Sequence, residues 1–153
     1  MTEEKQQAFK VFAEPVGDDQ LDRLIMFLRS EDLPVDDVGE PNRHFFLFRD
    51  RDETFLGIGG FELYGTEALL RSVVTATEVR GGGYGVPMVN TLLEEMQARG
   101  AESIYLLTTG AEGFFSRLGF EVISRNDVPE SIRATREYAL LCPASATVML
   151  RRL

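Results

Sequence analysis

Four glycines fall within five positions, at Gly81, Gly82, Gly83 and Gly85, with Arg80 before them and Tyr84 among them. The cluster lies between an apolar run, Leu69 to Val74, and an amphipathic run, Val86 to Arg99. A strand, a glycine turn and a helix start in that order aim unpaired backbone N–H groups at one point in space, and that point favours an anion. Glycine suits the turn because a side chain would block close approach of backbone to ligand, and because some turn positions need positive φ. The spacing thus proposes a phosphate site before it proposes any reaction.

Other reactive side chains are sparse. The single cysteine, Cys142, excludes an intrachain disulfide, and with a single histidine, His44, there is no cluster spaced for zinc, so no metal is expected. A net charge of −9 argues against nucleic-acid and anionic-membrane partners, which need a positive surface to release counterions. Any phosphate must be held by local geometry against that global field. Apolar residues make up 44% of the chain and aromatic residues 10%, as in an ordinary globular protein, and 153 residues suit one domain spanning 1–153. No apolar stretch reaches membrane-spanning length, and Met1 to Lys5 has no apolar signal core, so a cytoplasmic protein is expected.

The elements that must position the glycine turn follow from periodicity. Phe9 to Ala13 reads as a first strand, and Leu21, Leu24, Ile25 and Leu28 recur at helical spacing up to about Ser30. Leu33 to Asn42, with two prolines and three acids, reads as a loop. His44 to Phe48, Thr54 to Tyr64 and Ala68 to Thr75 then form an antiparallel meander, with turns at Asp50-Arg51-Asp52 and Gly65-Thr66. After the glycines, Val86, Val89, Leu92, Leu93 and Met96 share a helical face, Pro87 sits harmlessly in the first turn, and Gly100 suits the C-terminal cap. Ser103 to Leu107 follows that helical crossover and should pair in parallel with the 68–75 strand. Ala111 to Leu118 is a short helix stopped by Gly119, Phe120 to Ile123 and Ala146 to Leu150 are closing strands, and Pro129 to Leu141 is a helical insertion. The fold expected is α/β, a mixed sheet with helices on both faces.

Two separated motifs resemble those of the GNAT superfamily of acyl-CoA N-acyltransferases. The first is the family's Arg/Gln-x-x-Gly-x-Gly/Ala turn, here Arg80, Gly83 and Gly85; the second is its Ala-x-x-Phe-Tyr-x-x-x-Gly-Phe pattern, here Ala111, Phe114, Phe115, Gly119 and Phe120. The element order matches along nearly the whole chain. Leu70-Arg71-Ser72, Val128 to Thr135 and Leu141 to Ala146 further resemble a branch described as arsenic-resistance N-acetyltransferases. The resemblance implies a mostly antiparallel sheet with a splayed parallel pair at its centre. It implies acetyl-CoA as co-substrate, its pyrophosphate on the N–H groups of Gly81, Gly82, Gly83, Tyr84, Gly85 and Val86 beside Arg80, with Phe114 and Phe115 bordering the site. The pantetheine arm would pair with the backbone of Val73, Val74 and Thr75, where one N–H would polarise the thioester carbonyl. An amine then attacks the thioester directly, which needs a neutral amine, an aligned carbonyl and a proton for the departing thiolate.

The family's usual proton donor is the tyrosine of the second motif, and Phe115 stands there. Tyr84, Tyr105 and Tyr138 are substitutes; otherwise the thiolate leaves unassisted, or catalysis has been lost. If Gly65-Thr66 is a two-residue turn, Glu62, Glu67 and Arg71 fall on one sheet face with Arg71 diagonal to Glu62. Glu62 is then either a base beside an arginine that holds an anionic substrate group, or simply that arginine's ion-pair partner. Arg133 and Arg136, three apart, either grip a substrate carboxylate or phosphonate or form a solvated helix face. His44 reads as a surface or hydrogen-bonding residue; Cys142 reads as a packing residue, with a thiol nucleophile or arsenical ligand as the other reading; and the acids from Asp32 to Glu40 read as solvated or, as the resemblance places them beside the acceptor cleft, as drawing in a cationic amine. The activity implied is acetyl transfer to a small amine, an amino acid or an acidic analogue such as a phosphonate or arsenical. A CoA-binding sensor without turnover and a protein or peptide acetyltransferase are the alternatives, and a homodimer is one expected assembly.

Overall fold

The computed structural model describes residues 10–33, 35, 37–135, 138 and 146–153. Among them, seven strands form one sheet in the order β1-β2-β3-β4-β5-β7-β6. They are β1 (Phe12–Pro15), β2 (Arg43–Arg49), β3 (Phe55–Tyr64), β4 (Glu67–Thr75), β5 (Ser103–Thr108), β6 (Glu121–Ile123) and β7 (Thr147–Arg152). Neighbours are antiparallel except β4 and β5, which run parallel. The expected mixed sheet with a parallel pair at its centre is present.

Strand alternation assigns the two faces. On one face, Phe46, Phe48, Ala68, Leu70, Ile104, Leu106 and Met149 are covered by helix α2 (Gly85–Ala98) through Met88, Val89, Leu92 and Met96. Gly59 keeps that contact close, since a Cβ there would come within 2.7 Å of Leu92 Cδ1. On the other face, helix α1 (Leu21–Ser30) buries Leu24 and Leu28 against Phe45, Leu47 and Ile58. Leu69, Tyr105, Val148 and Leu150 on that face pack with Val128 and with Ile132 of the short helix α4 (Glu130–Arg133). Helix α3 (Glu112–Arg117) precedes β6.

The meander has the expected two-residue turn at Gly65-Thr66, pairing Tyr64 with Glu67 and Glu62 with Leu69. Further along, Ile58 pairs with Val74 but Gly60 with Arg71, so Ser72 and Val73 stand against Gly59 alone. This is a β-bulge, and Ser72 takes a left-handed backbone (φ 58°) that favours glycine.

Two expectations shift. The first strand lies at Phe12–Pro15, later than Phe9 to Ala13. Pro15 belongs to it because β1 is an edge strand, where a missing N–H costs no ladder bond. The insertion is helical over Glu130–Arg133, and Thr135 ends that turn by donating from Oγ1 to Ile132 O. Its remainder up to residue 145, except Tyr138, lies outside the described residues, as do Arg136 and Cys142.

Candidate active site

The parallel ladder between β4 and β5 has three rungs, Glu67 to Leu69 against Ser103 to Tyr105. Beyond Leu69 the strands part. The bulge at Ser72 and Val73 bends β4, while β5 continues its pairing with β7 as far as Thr108. The gap is a cleft of about 340 Å³, within the range of small-ligand sites. Leu70 to Val74 form one lip, Leu106 to Thr109 the other, and Phe115 and Glu31 also border it. Each lip is a strand with one side unpaired in the cleft, which suits an extended ligand able to hydrogen-bond along it.

The glycine turn sits where β4 hands over to α2. A 3-10 turn at Thr77–Val79 leads to Arg80, Gly81 (φ 85°) and Gly83 (φ 84°), and α2 begins at Gly85. The Gly82 N–H donates to Val79 O at 3.1 Å and so belongs to the turn. This removes one of the donors expected for phosphate. Those of Gly81, Gly83, Gly85 and Val86 meet no backbone carbonyl outside the helix among the described residues. The first turn of α2 has no acidic side chain to compete with an incoming anion. Phe114 walls the site, since a Cβ on Gly85 would stand 3.2 Å from its Cζ. Arg80 donates through Nε to Thr75 O (3.0 Å) and through Nη2 to Glu31 (2.7 Å), tying the turn to the end of α1. The residues present therefore fit a pyrophosphate at the turn and a pantetheine-like arm in the cleft.

The floor between the α1 and α4 patches is a buried charge network. Arg71 donates from Nη1 to Glu62 (2.9 Å) and to Asp37 (2.5 Å), and from Nε to Ser72 Oγ (3.2 Å). Arg43 approaches Asp37 (3.2 Å) and Glu62 (3.4 Å), and the Tyr64 hydroxyl donates to Glu62. Glu62 is 0% exposed and Asp37 1%. Two arginines face these two buried carboxylates, with the more exposed Glu40 3.6 Å from Arg43, and the Phe45 ring lies 5.4 Å from the Arg71 guanidinium. Burial alone would push the Asp37 carboxyl up, but the hydrogen bond and charge of Arg71, then Arg43, hold it below its ordinary value. Burial, then the bond to Glu62, pushes the Tyr64 phenol well up.

These positions revise several expectations. Glu62 and Arg71 are diagonal neighbours in an ion pair, and the guanidinium expected to reach substrate is engaged by Asp37, Glu62 and Ser72. Asp37, expected in water with the other loop acids, is buried because two arginines need its charge. Arg133 turns its guanidinium to the carbonyls of Arg125 (2.9 Å) and Asn126 (3.1 Å), bracing its own insertion. Phe115 borders the cleft and meets the Phe120 ring edge-on at 5.7 Å, with no hydroxyl to offer. None of Tyr84, Tyr105 and Tyr138 lines the cleft; Tyr105 and Tyr138 belong to the α4 patch. His44 pairs through Nδ1 with Arg99 (2.8 Å), and burial, then the charge of Arg99, lowers its pKa. Sequence reasoning missed Asp37, Arg43 and the cleft hydroxyls of Ser72, Thr108 and Thr109. Only Ser72 carried a signal, as the residue after Arg71 in a segment already singled out.

The sequence profile of the Acetyltransferase (GNAT) family matches residues 4–120, and the chain belongs to that family. No curated protein sequence matches it. Among solved structures, N-acetylglutamate synthase from Neisseria gonorrhoeae complexed with coenzyme A and L-arginine is similar at TM-score 0.73 and 15% identity. That likeness covers 94% of this chain, which spans 33% of the synthase. Rv2747 from Mycobacterium tuberculosis, in complex with CoA and NLQ, is similar at TM-score 0.73 and 17% identity, over 93% of this chain and 99% of that one. The spermidine/spermine N-acetyltransferase SpeG from Vibrio cholerae is similar at TM-score 0.66 and 12% identity, over 95% and 94%. At these identities the likeness establishes the fold. Among the described residues, no helix is long and apolar enough to cross a membrane, and no His, Cys, Asp or Glu group is arranged to hold a metal.

Proposed function

We propose that this protein, as one acetyltransferase domain over residues 1–153, moves an acetyl group from acetyl-CoA to a small-molecule amine. The observation that carries the proposal is the continuity of the site. A cleft opened by a bulge in β4 is bordered at one side by Glu31, which holds Arg80 of the glycine turn, and at the other by Arg71 of the buried charge network. Gly81, Gly83, Gly85 and Val86 are the residues to hold the pyrophosphate, with Arg80 beside them; Phe114 and Phe115 form the wall; Val73, Val74 and Thr75 offer backbone to the pantetheine arm. The thioester would supply the acetyl group. Beyond Leu69 the edge of β4 that faces the cleft has no partner strand, and one of its backbone N–H groups would polarise the carbonyl.

On this geometry Glu62 is a supporting carboxylate that keeps Arg71 in place, and the amine enters neutral from solvent. The neighbours crystallised with CoA support the cofactor half, and the amino acid and polyamine acceptors named with them support a small amine. The likeness to the arsenic-resistance branch places amino acids and their phosphonate and arsenical analogues first in a panel. Phe115 favours one second reading, a CoA-binding sensor. The test is CoA release from acetyl-CoA across that panel. Turnover with one acceptor class establishes the enzyme, and tight CoA binding without turnover establishes the sensor.

A further inference from the structure

We propose that Ser72 is the proton relay of the transfer step, in place of the tyrosine that position 115 lacks. The proposal rests on the acetyltransferase reading and adds a catalytic residue to it. Four observations converge on this side chain. It lies on the cleft lip at the β4 bulge, among the residues that also include Phe115. It is a buried hydroxyl, whereas Thr109 across the cleft is exposed, and Thr108 Oγ1 accepts from the Ala111 N–H at 3.2 Å. Its backbone is held in a left-handed conformation that a serine adopts only under constraint. Finally, its Oγ accepts a hydrogen bond from Arg71 Nε at 3.2 Å.

That last bond sets the direction of the hydroxyl. A serine oxygen has one O–H and two lone pairs. Arg71 takes one lone pair, and Arg71 is itself fixed by Asp37 and Glu62, so the O–H turns away from the guanidinium. One lone pair and one O–H remain, which is what a relay uses. A lone serine cannot protonate a thiolate and stay an alkoxide, because its hydroxyl is far less acidic than a thiol. It can pass a proton on.

The step balances without a further reactant. The lone pair of the neutral amine forms the C–N bond as the carbonyl π pair moves to oxygen. When the carbonyl re-forms, the C–S pair leaves on sulfur. One N–H proton passes to Ser72 Oγ while the Oγ–H proton passes to sulfur, so Ser72 ends as it began. The products are the N-acetylated amine and CoA as the free thiol.

The experiment is steady-state kinetics of the whole chain with acetyl-CoA and an accepted amine, comparing the parent with Ser72→Gly. Glycine keeps the left-handed backbone and removes only the hydroxymethyl group. The expected result is a fall in kcat of about 10²-fold, the usual contribution of proton transfer, with the KM for acetyl-CoA unchanged. The parent's solvent deuterium isotope effect on kcat should vanish in the variant. Phe115→Tyr in the Ser72→Gly background, which restores a phenol at the second motif, should return rate. A Ser72→Gly enzyme with unaltered kcat, or one that slows but keeps the isotope effect, overturns the relay and leaves the acetyltransferase reading standing. A parent that releases no CoA with any amine overturns that reading, and the relay with it.

Discussion

Glu62→Gln tests whether the cleft floor is a structural charge network or a reservoir of free base. The side chain is 0% exposed and meets Arg71 at 2.9 Å and Arg43 at 3.4 Å. At an effective dielectric near 20, each such attraction is gross about 4 kcal/mol, offset by desolvation and by repulsion between the two carboxylates. Glutamine keeps the shape and one acceptor, so the change isolates the charge. It leaves the buried Arg71 and the largely covered Arg43 facing Asp37, with only the more exposed Glu40 3.6 Å from Arg43 besides, and breaking a buried pair from one side costs about 3 kcal/mol. For a chain of this length that is a melting-temperature loss of roughly 6–12 °C. Urea unfolding with an unchanged m-value measures it, and 0.5 M salt should not close the gap, because buried pairs are weakly screened. A loss below about 1 kcal/mol would refute the reasoning, and abolished turnover at parental stability would reinstate Glu62 as the base.

Three other outcomes follow from the same structure. Asp37 is held below the ordinary aspartate value of 3.8, so its contribution is complete above that pH and is lost as pH falls through the lower folded value. Thermal melts between pH 5 and pH 2.5 should show a steeper acid loss in the parent than in Asp37→Asn. His44 is the one histidine, and its pKa lies below 6.5; Arg99→Gln removes the charge beside it, so an NMR titration of this single imidazole should move toward 6.5, and no movement would contradict the pairing. Gly83→Ala forces a Cβ onto a φ of 84°, at a cost of about 1–2 kcal/mol. CoA affinity by calorimetry should fall about tenfold or more, and unchanged affinity would remove the turn from the binding site.

The glycine turn and its place between β4 and α2 were legible because local rules write them. Glycines after an apolar strand and before an amphipathic helix admit few conformations, and the two-residue turn at Gly65-Thr66 fixed which residues of β3 and β4 share a face. The register of Glu62 and Arg71 followed from that count. What the count could not reach is the partner set. Asp37 comes from a loop 34 residues away from Arg71 in the chain, and no periodicity links a loop acid to a strand arginine. The bulge was equally silent, since nothing in Arg71-Ser72-Val73 distinguishes two residues facing one glycine from two facing two. It is the bulge that brings Arg71 and Val74 to the same face and Ser72 to the lip. The Gly82 donor was miscounted because a turn uses some of its own N–H groups to close itself.

The three-rung ladder between β4 and β5 has a consequence for how the protein holds together. β1 to β4 form one half-sheet and β5, β7 and β6 the other. Among the described residues, the halves are also joined by the helices packed across both, by the Glu102 and Ser103 N–H groups bonding to Thr66 O, and by the stretch from Ala76 to Glu102 that holds the glycine turn and α2. A ligand bonded to both lips supplies the missing rungs, working as a strand that the gene does not encode. Its binding free energy is then also cohesion between the halves, about 2.7 kcal/mol when ligand stands at a hundred times its Kd. Along that seam, amide exchange should slow when the cleft fills.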